Sequence, residues 1–182
     1  MRQGAESPES SGPHDEVRLK YNERVNSKLI LIVEDEEDDA RLLELLLAEV
    51  GISNPIRIVL SAEEAVLYLQ QAPPYSNPLL HPPPAIIFLD LKLPGIDGFE
   101  LLRHLKTHPE WQNLFVVVLS ATGDLASVQH AYSLGANSFL IKPCRIADLE
   151  NLITGYPDFW TRIPPGLPLP PPNDAPLPPP VQ

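Results

Sequence analysis

The sequence predicts an α/β domain built on a doubly wound, five-stranded parallel sheet. Three observations lead there. Short apolar runs alternate with helix-periodic segments five times between residues 28 and 163. Runs such as Leu29-Ile-Leu-Ile-Val33 are apolar throughout, the pattern of strands buried on both faces. The chain of 182 residues, less 27 at one end and 19 at the other, leaves 136, enough for one buried core and too few for two.

The elements follow in order. Residues 28–33 form a first strand, and a run of six acids, Glu34 to Asp39, follows at once. Ala40, Leu42, Leu43, Leu46, Leu47 and Val50 then recur at helical spacing and are closed by Gly51. Residues 55–60 are a second strand. Ser61 can cap a helix over 62–70, with Glu63 and Glu64 in its positive first turn. The proline-rich stretch 71–84 is read as irregular. Residues 85–89 are a third strand ending in Asp90, and 98–107 a helix broken before Pro109. Residues 114–119 are a fourth strand ending in Ser120. A helix over 124–134 stops at Gly135. Residues 138–141 are a short fifth strand ending in Lys142-Pro143, and 145–160 is mostly helix, with Gly155 and Pro157 able to shorten it. Strict alternation with right-handed crossovers predicts the flavodoxin-like strand order 2-1-3-4-5.

Outside 28–163 the composition changes. The chain carries 23 prolines, more than twice the usual share of about 5%. Ten fall after residue 163 and six between Pro73 and Pro84. Residues 1–27, rich in Ser, Glu, Gly and Pro, read as a mobile arm. Residues 164–182 read as a stiff, disordered polyproline spacer, although a P-x-x-P pattern over 165–168 could dock on an aromatic groove. Nothing after residue 163 has the composition of an output domain, so the chain is expected to act by contact alone.

Charge and hydropathy exclude several classes. The formal net charge is −11, and residues 28–163 hold 18 acidic against 9 basic side chains. Such a chain is a poor nucleic-acid binder, because phosphate contacts need Lys and Arg. No apolar run reaches the roughly 18 residues of a membrane span, and the first residues lack the apolar stretch of a secretory signal. The lone Cys144 cannot form an internal disulfide, which fits a reducing cytoplasm.

In an open α/β sheet, ligands bind outside the carboxyl ends of the strands at the switch point, here beside the first and third. The residues just past each strand are Glu34 and Asp35, Asp90, Ser120 and Lys142. Clustered carboxylates stay ionised together only with a cation between them, and Mg²⁺ suits hard oxygen ligands. A carboxylate can itself be the nucleophile toward a phosphoryl group, giving an aspartyl phosphate. Lysine then serves as a point-charge partner for phosphoryl oxygens, and the serine hydroxyl as a donor.

Glu34-Asp35, Leu89-Asp90-Leu-Lys-Leu-Pro-Gly-Ile-Asp-Gly98, Leu119-Ser120-Ala121 and Phe139-Leu-Ile-Lys142-Pro143 together resemble the receiver domain of two-component response regulators, over about residues 28–155. The resemblance implies that Asp90 accepts a phosphoryl group from a sensor histidine kinase. It implies that Glu34, Asp35, Asp90 and the backbone carbonyl of Lys92 hold Mg²⁺. Lys142 and Ser120 would contact the phosphoryl group, Phe139 would be the switch aromatic, and the Lys142–Pro143 bond would be cis. Asp35 is expected to be the more direct metal ligand, since the longer Glu34 more often reaches metal through water.

A finer resemblance rests on the long loop before the third strand, the Asp-Leu-Lys-Leu-Pro run and the end Asp158-Phe-Trp-Thr-Arg-Ile-Pro. It points to single-domain regulators that partner cyanobacterial-type phytochromes, and so implies a light-sensing kinase, a homodimer and a downstream protein the sequence does not name. Leu149, Leu152, Ile153, Phe159 and Trp160 are the residues expected to supply a dimer surface.

Other readings stand beside these. Glu36 to Asp39 are read as a solvated helix start, because acids favour helix N-termini. Phe139 fits static core as well as a moving switch. The five histidines receive no chemistry, Cys144 is read as a small buried filler, and Trp111 and Trp160 as anchors. Two further functions compete: a receiver fold kept only as a phosphate-independent scaffold, and an aspartyl-phosphate phosphatase of the haloacid-dehalogenase type. The second calls for an acid two residues after the nucleophile, where this chain has Lys92.

Overall fold

The computed structural model describes residues 28–162. The expected arm 1–27 and tail 164–182 lie outside the described residues.

Five parallel strands, β1 (Leu29–Val33), β2 (Ile56–Val59), β3 (Pro84–Asp90), β4 (Phe115–Ser120) and β5 (Ser138–Ile141), form one sheet in the order β2-β1-β3-β4-β5. The helices are α1 (Glu37–Glu49), α2 (Ala62–Leu69), α3 (Gly98–Thr107), α4 (Leu125–Ser133) and α5 (Ile146–Gly155). The sequence-predicted fold class and strand order are those observed.

Alternation along the strands splits the core in two. Leu31, Val33, Ile87, Leu89, Val116 and Val118 face α2, α3 and α4, where Ala65, Tyr68, Leu101, Leu105 and Ala131 meet them. Ile30, Ile32, Ile86, Phe88, Val117 and Leu119 face α1 and α5. All five residues of β1 are buried, which is why its sequence shows no polar alternation. Each fully buried Leu, Ile or Val contributes about 1.5–3 kcal/mol, so the central strands hold the sheet and fix where their ends fall.

Local rules set the helix ends. Ser61 caps α2 by accepting the Glu64 amide (3.1 Å), Asp97 caps α3 (2.8 Å from the Glu100 amide), and Asp124 caps α4 (2.9 Å from the Ser127 amide). Gly51, at φ +81°, follows α1 as the expected stop.

Helix α1 begins at Glu37, so Glu37 to Asp39 form its first turn, the helix start read from the sequence. Two expectations change. Pro84 is not irregular but the first residue of β3, paired with Leu29, a position where a missing N–H is tolerated. The last helix ends at Gly155. A 3₁₀ turn, Pro157–Phe159, follows, and residues 160–162 run back along the loop after α1. Asn54 fastens that return: its Nδ2 donates to the Lys28 and Phe159 carbonyls, and its Oδ1 accepts the Thr161 amide.

The return also corrects the expected dimer surface. Leu149, Leu152, Ile153 and Trp160 are buried in this chain's own core, and Phe159 packs against it, with its ring centroid 4.5 Å from that of Phe115. Their apolar stripe covers the sheet instead of facing a second copy.

Candidate functional site

Parallel strands bring their carboxyl ends to one edge, and the site is assembled there. Glu34 directly follows β1, Asp90 ends β3, Ser120 ends β4, and Lys142 follows β5. The backbone approach is tight: a Cβ on Gly98, at the start of α3, would collide with the Asp90 carbonyl oxygen, so the helix can lie this close to β3 only with glycine there.

Lys142 joins the edge across the sheet. Its Nζ lies 2.8 Å from Glu34 Oε2, 2.9 Å from Asp90 Oδ2 and 2.9 Å from Asp39 Oδ2. Asp90 Oδ1 accepts the Lys92 amide at 3.1 Å. Glu34 is 1% and Asp90 2% exposed, while Asp35 is half-buried. Glu34, Asp35 and Asp90 each present a carboxylate oxygen within 4.8 Å of the others.

Electrostatics follow from burial and crowding. Burial pushes the Glu34 carboxyl up to about 7; the charge on Asp90 adds to the rise, and the bond from Lys142 opposes it. For Lys142, burial pulls the ammonium down, but the hydrogen bonds to Glu34, Asp90 and Asp39 outweigh it and hold the group protonated. Four carboxylates thus face one ammonium. That leaves net negative charge in a part-buried pocket, and three hard oxygens able to close on one point. These residues fit a hard divalent cation.

Ser120 is buried, and its Oγ accepts the Thr122 amide at 3.2 Å. The Thr122 hydroxyl donates in turn to Asp124 Oδ2 (3.1 Å), the α4 cap. Phe139 is partly buried against the α2–α4 side of the core. The Lys142–Pro143 bond is cis, as the resemblance implied. Lys92 stands beside Asp90 through its amide, with its side chain exposed. Every sequence-predicted site residue except Phe139 therefore sits on or directly against this edge.

Asp39 lies in the first turn of α1 with its side chain 47% exposed, the helix start read from the sequence, and it also reaches Lys142, a contact that its local sequence does not announce.

Residues 30–154 match the response regulator receiver domain, and the chain belongs to that family. It is 35% identical over 133 residues to the response regulator Rcp1 of Synechocystis, covering 73% of this chain and 88% of that one. The phosphorylated cyanobacterial phytochrome response regulator RcpA superposes with a TM-score of 0.61 at 34% identity, over 74% of this chain and 94% of RcpA. The Mn²⁺-bound form of Rcp1 gives 0.60 at 34% identity, over 79% and 99%. No helix among the described residues is long and apolar enough to cross a membrane.

Proposed function

We propose that the chain is a single-domain response regulator switched by a phosphoryl group on Asp90. The observation that carries this reading is the buried Asp90 carboxylate, bonded to Lys142 and grouped with Glu34 and Asp35. In the proposed organisation 28–163 is the receiver unit, 1–27 an arm and 164–182 a spacer.

A Asp90 carboxylate oxygen attacks the phosphorus of a phosphohistidine on a sensor kinase. The O–P bond forms as the P–N bond breaks, and its electron pair stays on the imidazole nitrogen, which is then protonated. Lys142 donates to a phosphoryl oxygen in place of the Asp90 oxygen it holds at rest, and the Ser120 hydroxyl donates to another. Glu34, Asp35, Asp90 and the Lys92 carbonyl would hold Mg²⁺, which when bound neutralises charge on the phosphoryl oxygens.

Withdrawal of the Ser120 oxygen from the Thr122 amide loosens the link to the Asp124 cap of α4. That helix buries only Ala131, so it can shift at small cost. Phe139 fills the space vacated by Ser120. The face of α4, β5 and α5 is the proposed output surface for a downstream protein and for a second copy of the chain. The likeness to Rcp1 and RcpA supports a phytochrome-type kinase as the source of the phosphoryl group.

The test is incubation with Mg²⁺ and acetyl phosphate, followed by intact-mass measurement. One phosphoryl group should add to the wild type and none to Asp90→Asn. A wild-type mass that never changes would end the proposal. Transfer from phosphorylated histidine kinases of the source organism then identifies the donor.

A further inference from the structure

The Lys142 ammonium is ion-paired with three carboxylates, Glu34, Asp39 and Asp90, and donates hydrogen bonds to Glu34 and Asp90. The partners differ in kind. Glu34 and Asp90 are buried and belong to the trio whose oxygens converge within 4.8 Å. Asp39 stands outside that trio, and its side chain is 47% exposed.

A cation seated among Glu34, Asp35 and Asp90 draws on two of the lysine's three partners and repels its ammonium. Asp39 is the partner it leaves alone. From these contacts we infer that Asp39 is a positioning residue: it holds the Lys142 ammonium at the site when Glu34 and Asp90 are shared with a cation, and so keeps it aimed at the incoming phosphoryl group. This rests on the function proposed above and adds to it a residue outside the four motifs that mark the site.

The backbone suits the role. Asp39 lies in the first turn of α1, whose Ala40, Leu43 and Leu47 are locked into the core beneath β1. Its Cα is therefore fixed, and only a short side chain separates it from the ammonium. Asp38, its neighbour, shares the first turn and the favourable helix dipole. Asp39 is the one paired with Lys142, so the two acids separate positioning from general charge.

The experiment measures the rate of phosphorylation by acetyl phosphate at saturating Mg²⁺. Asp39→Asn should slow it about tenfold and Asp38→Asn less than about twofold. Asp39→Glu, which restores the charge, should recover it to within about threefold. In a Lys142→Met background, Asp39→Asn should have no further effect. Equal rates for Asp39→Asn and wild type, equal losses for Asp38→Asn and Asp39→Asn, or an undiminished Asp39→Asn effect without Lys142 would each overturn the inference while leaving the function standing. A wild-type protein that takes up no phosphoryl group overturns both.

Discussion

Lys142 Nζ and Asp90 Oδ2 lie 2.9 Å apart, joining the loop after β5 to the last residue of β3 over the carboxyl end of β4. The pair is part-buried, so its partners cannot be left to water. Removing the lysine leaves Glu34 and Asp90 as buried carboxylates without their cation. Breaking one partner from such a pair costs about 3 kcal/mol or more. Lys142→Met should therefore lower stability by that order in EDTA, measured by urea unfolding. Its phosphorylation rate should fall by more than about tenfold, because the phosphoryl oxygens lose their ammonium donor.

Divalent cation should stabilise the folded protein, since the converging carboxylates exist only in the native state. At ten times the dissociation constant the gain is about 1.4 kcal/mol, or a melting temperature higher by about 5 °C. Thermal unfolding with EDTA and then with Mg²⁺ or Mn²⁺ measures it. Asp35→Asn should abolish most of the shift, because one of the three oxygens that close on a single point loses its charge. An undiminished shift in Asp35→Asn would place the cation elsewhere.

Glu34, Asp90, Ser120 and Lys142 were legible in the sequence for one reason. A parallel sheet delivers the residue after each apolar run to a common edge, so position along the chain reports position in space. Asp39 was not legible by that rule. An acid in the first turn of a helix has the same local signature whether it meets solvent or a lysine from a distant loop. Leu149, Leu152, Ile153 and Trp160 failed similarly: an apolar stripe does not say whether it covers its own sheet or a second copy. Here the deciding feature is the return of residues 160–162, held by Asn54, whose side-chain bonds reach segments far apart in sequence.

That return is testable. Asn54 is 6% exposed and satisfies two carbonyls and one amide, at 2.5 Å from Lys28 O, 3.1 Å from Phe159 O and 2.6 Å to the Thr161 amide. Asn54→Ala strands all three groups, and an unsatisfied buried polar group costs about 1–3 kcal/mol. A net loss of about 2 kcal/mol is expected by urea unfolding. Hydrogen exchange should rise selectively at the Thr161 amide and around Trp160. Phosphorylation of Asp90 should continue at the wild-type rate, because the return lies at the opposite end of the sheet from the site.

Cys144 gives a pH-dependent readout next to the site without altering it. Burial, with the negative charge of Asp148 adding to it, raises the thiol from about 9 to about 11. The thiolate is the reactive form, so a rise from about 9 to about 11 lowers its fraction at pH 8 about a hundredfold. Alkylation by iodoacetamide should be slow in the folded protein at pH 8 and accelerate about tenfold per pH unit until the thiol titrates near 11. In urea the same cysteine should react at the rate of an ordinary thiol. Labelling at pH 8 as fast in the folded as in the unfolded chain would show that the thiol is not shielded between Lys142 and α5.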